Sequence, residues 1–98
     1  MAEVLETDEF KAWLAGLRDR QAKLAVGARL ARLAGGLFGD LRAVGDGVSE
    51  LRIHTGPGYR IYLARRGDVL ILLLHGGDKS SQARDIEKAK AIARNLTW

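Results

Sequence analysis

Cysteine is absent from the 98-residue chain, and histidine occurs only twice, as His54 and His75. Without cysteine there can be no disulfide framework, no thiolate metal site and no cysteine nucleophile. With only two histidines, a zinc site would have to recruit carboxylates as well. We therefore expect a protein that uses neither a metal nor another cofactor.

Long hydrophobic runs are also missing. The longest run, residues 69–74, falls far short of the about 20 residues that a helix needs to cross a bilayer. The first residues lack the basic start and apolar stretch of a signal peptide. These absences predict a soluble, cytoplasmic protein with no membrane partner.

The composition is that of one packed globule, because 47% of the residues are hydrophobic and 29% are charged. We expect a single domain over residues 1–98. The net charge of +4 is unevenly placed: residues 1–49 hold seven Lys or Arg and seven Asp or Glu, whereas residues 50–98 hold nine and five. A basic second half favours a polyanionic partner such as nucleic acid.

The first half is patterned for two helices joined by a short turn. Val4 and Leu5 favour a short strand before them, and Thr7 and Asp19 are the expected helix N-caps. Glycines 35, 36 and 39 should end the second helix. The apolar positions recur at helical spacing in both segments: Phe10, Trp13, Leu14 and Leu17 in the first, and Val26, Leu30, Leu33 and Leu37 in the second.

The second half is patterned for three strands and a last helix. Residues 48–55 and 59–66 alternate in polarity around a Gly-Pro-Gly turn, and residues 69–74 read as a central strand buried on both faces. Asp46-Gly47 is a turn, and the glycines at 76 and 77 should end the sheet. Ser80 or Ser81 can cap the last helix, which has one apolar face: Ile86, Ala89, Ala93 and Leu96. The order (β)ααβββα predicts an α+β domain.

If the two alternating strands pair, Arg52, His54, Arg60 and Tyr62 share the face opposite the core. Arginine suits phosphate because its planar fork donates two parallel hydrogen bonds. Histidine and tyrosine can stack on bases or transfer protons. The plain alternative is a solvated sheet face on which Glu50 and Arg52 form only a surface ion pair.

Other candidates have similar alternatives. Lys79 precedes the last helix, whose N-terminus attracts anions, but it can equally lie in a solvated turn. Arg65 and Arg66 lie near a turn and are compatible with simple solvation. For His75 a structural hydrogen bond is the default role, and Gln82 is compatible with a structural role as well.

Several segments together resemble a known superfamily. They are ELR at 50–52, GPGYRIY at 56–62, the apolar strand at 69–74, GGDKSSQ at 76–82 and DI at 85–86. This combination resembles the RelE/ParE toxin superfamily, most closely its HigB-like addiction module killer protein branch of type II toxin–antitoxin systems. The resemblance covers nearly the whole chain, as a single RelE/ParE-type toxin domain over residues 1–98.

The resemblance implies a RelE-like twisted antiparallel sheet with an N-terminal helical hairpin and a C-terminal helix. It implies a toxin that is neutralised by a helix-turn-helix antitoxin and that meets operator DNA only through that antitoxin. Ribosome-dependent, metal-independent cleavage of mRNA, which arrests translation, is the leading activity, with the ribosome and mRNA as partners. Two alternatives stay open: non-enzymatic inhibition of DNA gyrase of the ParE type, and an inactive homologue that acts only in an autorepressing complex.

The resemblance also directs attention to particular residues, because family members carry basic side chains at the positions of Arg52, Arg60 and Lys79. RNA cleavage without a metal needs an activated 2′-OH, a stabilised phosphorane and a protonated leaving oxygen. We therefore expect Arg60 to stabilise the transition state and His54 or Lys79 to transfer protons. The expected substrate-binding residues are Arg52, Tyr62 and Arg65.

Overall fold

The structure is a computed structural model that describes residues 2–96 as a five-stranded mixed sheet covered by helices on both faces. The strands are β1 (Glu3–Glu6), β2 (Leu41–Gly45), β3 (Val48–Ile53), β4 (Tyr59–Arg66) and β5 (Leu70–Asp78). The helices are α1 (Asp8–Gly16), α2 (Arg20–Ala34) and α3 (Gln82–Arg94), and a short 3₁₀ turn (Lys79–Ser81) precedes the last one. The predicted α+β class, with an N-terminal helix pair and a C-terminal helix, is confirmed.

The strands are ordered β1-β5-β4-β3-β2 across the sheet. The predicted antiparallel arrangement of β3, β4 and β5 is confirmed. The sheet is not antiparallel throughout, however, because β1 pairs with β5 in parallel. A parallel neighbour needs a long crossover, and the chain between β1 and β5 supplies it.

The strand β2 was not predicted from the sequence, whereas the turn that follows it was. Asp46 and Gly47 both have positive φ, 56° and 77°, as a two-residue type I′ hairpin turn requires. β2 lies at the edge of the sheet, and most of its residues are exposed. Its sequence therefore shows little of the alternation by which a half-buried strand is recognised.

Both predicted N-caps of the helix pair are confirmed. The Thr7 hydroxyl accepts a hydrogen bond from the Phe10 N–H at 3.0 Å, and Asp19 accepts one from the Gln21 N–H at 2.9 Å. Three apolar positions, however, lie outside the helices to which they were assigned. Leu17 is the C-cap of α1, Leu37 follows the end of α2 and is exposed, and Leu96 follows the end of α3. The chain has left α2 at Gly35 and Gly36 before it reaches Leu37.

Two apolar clusters lie on opposite faces of the sheet. The larger one joins the sheet to α1 and α2; its buried members include Phe10, Val26, Leu33, Leu51, Ile61 and Leu73. The smaller one joins the sheet to α3; its buried members are Val48, Tyr62, Ala64, Leu72, Leu74 and Ala89. The sheet face for which solvation was one alternative is therefore covered by α3, and that alternative is wrong.

The strand β5 runs through the two glycines that were expected to end it, because Arg60 pairs with Gly77 and Tyr59 with Asp78. Ser81 stands at the N-cap of α3, but its hydroxyl donates to the Asp85 carboxylate instead of accepting from the helix backbone. Asp78 caps the 3₁₀ turn by accepting from the Ser80 N–H at 2.9 Å. Between residues 2 and 96 no helix combines the length and the apolar character that crossing a bilayer requires.

Candidate functional site

A shallow groove of about 450 Å³ opens at the end of the sheet where β3 turns into β4. Arg52 and Arg60 lie directly opposite each other on the two strands. The Lys79 N–H donates to the Gly58 carbonyl at 2.8 Å, so that the end of β5 brings this lysine to the Gly-Pro-Gly turn. The groove is lined by Arg52, His54, Gly56, Pro57, Gly58, Arg60 and Lys79. Four of the six expected site residues therefore lie together.

Behind this groove lies the carboxylate of Glu50, for which a surface ion pair with Arg52 was one of the alternatives. Glu50 is fully buried. Its Oε1 accepts from Arg52 Nε at 2.8 Å, and its Oε2 accepts from Gln82 Nε2 at 2.9 Å and from the Tyr62 hydroxyl at 3.3 Å. The same Oε2 is 3.7 Å from Arg60 Nε. The surface interpretation of Glu50 is wrong, because α3 covers this face of the sheet and contributes Gln82.

Within the cluster formed by Glu50 and its four contacts, the residues shift one another's pKa values. Burial by itself would raise the pKa of Glu50, but hydrogen bonds from Arg52 and Gln82 and the nearby positive charges outweigh it and hold that pKa below its ordinary value. The hydrogen bond to Glu50 in turn raises the pKa of Arg52. Burial, together with the charge of Glu50, raises the pKa of Tyr62 above its ordinary range. At neutral pH the cluster therefore contains a carboxylate, two guanidinium groups and an un-ionised phenol.

Arg60 is the most enclosed of the groove's basic residues. Its side chain is 9% exposed, and its Nη1 donates to the Gly58 carbonyl at 3.3 Å. Gly58 has a φ of +80°, a conformation that glycine adopts without strain, so the turn itself presents this carbonyl to the guanidinium. Nη2 of Arg60 and both Nη atoms of Arg52 have no hydrogen-bond partner among residues 2–96, and they are available to an anion in the groove.

His54 lies in the loop after β3, with 73% of its side chain exposed. Its Nε2 is 2.9 Å from Asp40 Oδ2, and the hydrogen bond from His54 lowers the pKa of Asp40. A carboxylate that contacts one ring nitrogen orients the imidazole. Asp40 was not anticipated, because it precedes β2 and is 14 positions away from His54 along the chain.

Two expected binding residues do not line the groove. Tyr62 is fully buried under α3, and its hydroxyl is engaged by Glu50, so the ring offers no surface for stacking on a base in this conformation. Arg65 lies near the far end of β4, and its guanidinium carbon is 4.4 Å from the centre of the Phe38 ring. Alternation along β4 places Arg65 on the opposite face of the sheet from Arg60.

Three further contacts support the elements around the groove. The Arg29 Nη1 donates at 3.1 Å to the carbonyl of Arg52, which ties α2 to the end of β3. His75 Nε2 is 3.3 Å from an Asp85 oxygen, which confirms the structural hydrogen bond expected of this histidine, and the Ser81 hydroxyl donates to the other oxygen. The two contacts of Asp85 hold α3 against β5.

In the part of the chain that the structure describes, no three His, Asp or Glu side chains are grouped so as to hold a metal ion.

Comparison with known proteins identifies relatives of nearly the whole chain. Residues 12–97 match the family model described as "Phage derived protein Gp49-like (DUF891)". A protein of Haemophilus influenzae, with the name "Uncharacterized protein", is 47% identical over 94 residues, which cover 96% of this chain and 95% of that relative. The family match includes every residue that lines the groove and also Glu50, Tyr62 and Gln82.

Proposed function

This chain belongs to the Gp49-like family of type II toxins, which is related to the RelE-like toxins, and on that premise we propose that it cleaves mRNA on the ribosome. The convergence of Arg52, His54, Arg60 and Lys79 around one groove carries this proposal. Family membership implies an antitoxin partner. We further propose the HigB-like branch, a helix-turn-helix antitoxin that links the pair to operator DNA, and a cytoplasmic location.

The groove contains the kinds of groups that metal-independent cleavage of RNA needs. The 2′-oxygen attacks the adjacent phosphorus, the bond from phosphorus to the 5′-oxygen breaks, and the products are a 2′,3′-cyclic phosphate and a free 5′-OH. A base must take the proton of the 2′-OH, and an acid must supply one to the 5′-oxygen. His54, oriented by Asp40, and the Lys79 ammonium are the groups that can exchange these protons.

The two arginines would act on the phosphate itself. Both arginines line the groove, so their unpartnered Nη atoms would donate hydrogen bonds to a phosphate bound there, where negative charge increases in the phosphorane. Arg60 is held by Gly58 and Glu50 before any substrate arrives. A donor that is already in position loses little free energy to reorganisation during the reaction, and so it favours the transition state.

The decisive experiment is induced expression of the protein without an antitoxin, followed by mapping of new RNA 5′ ends. We expect growth arrest and cleavage within translated mRNA. Arg60→Ala should lower cleavage by about 100- to 1000-fold, as does the loss of one donor to a developing oxyanion. Arg84→Ala, an exposed arginine on α3, is the matched control and should cleave like the wild type.

Exposed residues test the same proposal with less risk to the fold, since Arg60 is enclosed. His54→Ala and Lys79→Ala should each slow cleavage by about 100-fold or more while the melting temperature stays unchanged. Lys23→Ala on α2 is the control for Lys79. If the purified protein inhibits DNA supercoiling and no RNA is cut, inhibition of DNA gyrase replaces mRNA cleavage as the proposed activity. If induction has no effect on growth, the protein is an inactive homologue.

A further inference from the structure

We infer that Glu50 is the positioning residue of the groove: its buried carboxylate orients the guanidinium groups of Arg52 and Arg60 toward the substrate phosphate. This inference rests on the proposed function, because it concerns the same groove. It is carried by the geometry of four residues on two strands. Glu50 faces Tyr62 and Arg52 faces Arg60 in the register of β3 and β4.

Arginine nitrogens approach both carboxylate oxygens of Glu50, and Glu50 itself does not line the groove. Oε1 accepts from Arg52 Nε, and Oε2 lies 3.7 Å from Arg60 Nε. Arg52 donates its Nε–H to Glu50, whereas Arg60 Nε lies at ion-pair distance from Glu50 without a hydrogen bond. Both Nη atoms of Arg52 and the Nη2 of Arg60 are left for an anion. An arginine without such an anchor would sample many rotamers, and ordering it would weaken every contact with the transition state.

The carboxylate is itself fixed by two neutral donors. The Tyr62 hydroxyl and the Gln82 amide both donate to Oε2, one from β4 and one from the first turn of α3. Gln82 is the last residue of the GGDKSSQ segment, and this contact gives it a definite role. The arginines are thus positioned through a chain of contacts that reaches the C-terminal helix.

A purely stabilising role explains this arrangement poorly. A carboxylate with no exposed surface has lost its hydration, and replacing buried ion pairs by packed apolar residues often leaves stability unchanged or higher. What the charge supplies here is neutralisation of two arginines that lie directly opposite each other. Without it they would repel each other and turn outward.

The test variant is Glu50→Gln, which keeps the shape of the side chain and removes its charge. We expect kcat for cleavage on programmed ribosomes to fall by about 100-fold, as misplaced catalytic groups typically cause. KM should stay constant or fall, because the groove becomes more positive by one charge. Glu87→Gln, on the exposed side of α3, removes the same charge elsewhere and should leave both constants unchanged.

The outcomes separate the inference from the proposed function. If the wild type cuts no RNA, the proposed function fails. If the wild type cuts RNA and Glu50→Gln cuts it equally fast, or loses kcat only together with a rise in KM and a loss of melting temperature, the positioning role is overturned. Should Glu50→Gln fail to fold, Tyr62→Phe replaces it: loss of one hydrogen-bond donor to Oε2 should lower kcat about 3- to 10-fold at unchanged KM, and an unchanged kcat would contradict the inference.

Discussion

At the scale of single residues, two glycines near the end of β5 let both layers of helices approach the sheet. A Cβ on Gly76 would lie 2.2 Å from the Trp13 ring, and one on Gly77 would lie 1.9 Å from the Asp85 carboxylate. Neither distance leaves room for a side chain. The two positions face opposite sides of the strand, so one accommodates α1 and the other α3.

Gly76→Ala should therefore destabilise the protein by overpacking, at a cost of about 1–3 kcal/mol in the free energy of unfolding. The cost should shrink in a Trp13→Leu background, where the ring that the new methyl group meets is absent. A double-mutant cycle measured by urea denaturation checks this. Additive effects of the two substitutions would show that the close approach of Trp13 is not the cause.

His75 leads to a prediction about pH. Burial, followed by repulsion from Lys88, lowers the pKa of His75, against the opposing pull of Asp85 and Glu9. The unfolded chain therefore binds a proton near the ordinary histidine value of about 6.5, before the folded chain does. The stabilisation is present above that pH and is lost as the pH falls through the folded pKa.

We expect the melting temperature to decrease from pH 7 to pH 5, and the decrease to be smaller in His75→Gln. The difference between the two curves isolates His75, since the variants share every other titrating group. Parallel curves would mean that His75 does not bind protons differently in the folded and unfolded chain.

At the scale of elements, the β2–β3 turn requires a glycine for its backbone conformation, whereas the helix α2 is weakened by the glycine that it contains. Gly47 has a φ of +77° in the turn, and, its two chain neighbours aside, none of residues 2–96 has an atom within 4 Å of where a Cβ would be. Gly27 also has open space around it, but it lies inside α2. Neither position involves packing, so only backbone conformation distinguishes the two.

Gly47→Ala should lower the free energy of unfolding by about 1–2 kcal/mol, the cost of a left-handed conformation in an L residue. Gly27→Ala should raise it by about 0.5–1 kcal/mol, because alanine favours the helix. Thermal denaturation of the pair checks both signs, with each kcal/mol worth about 4–8 °C in a domain of this size. A stabilised Gly47→Ala variant would contradict the type I′ turn.

At the scale of the whole molecule, the net charge of +4 is modest, and its placement matters more than its size. Arg52, Arg60 and Lys79 converge on the groove, while Arg65 is directed to the opposite face of the sheet. Three basic groups give only a limited attraction for RNA. Shape and the ribosome must therefore contribute to the recognition that we propose.

Binding of a short single-stranded RNA should show a correspondingly shallow salt dependence. Three phosphate contacts predict a slope of about −2 for the logarithm of the binding constant against the logarithm of salt concentration. Lys79→Ala should reduce its magnitude by about 0.7, and Lys23→Ala should not change it. Fluorescence anisotropy measures all three proteins. Equal slopes would remove Lys79 from the RNA contacts.

Local chemistry alone determined much of this protein. The caps at Thr7 and Asp19, the turn at Asp46-Gly47 and the alternation around the Gly-Pro-Gly turn all act over a few residues, so they could be read directly. That Arg52 and Arg60 share one face of the sheet followed from the same alternation, whereas their direct pairing is a finding of the structure. The edge strand β2 could not be read, because its largely exposed residues carry little pattern.

Only the tertiary structure decided that helices cover both faces of the sheet. Strand alternation shows that Glu50 and Tyr62 share a face, but not that α3 folds over that face and buries both. The contacts of Glu50 with Gln82 and of His54 with Asp40 join residues 32 and 14 positions apart, and no local pattern encodes such separations. The residues that furnish the groove were visible in the sequence, whereas those that hold them in place became visible only once the helices were packed.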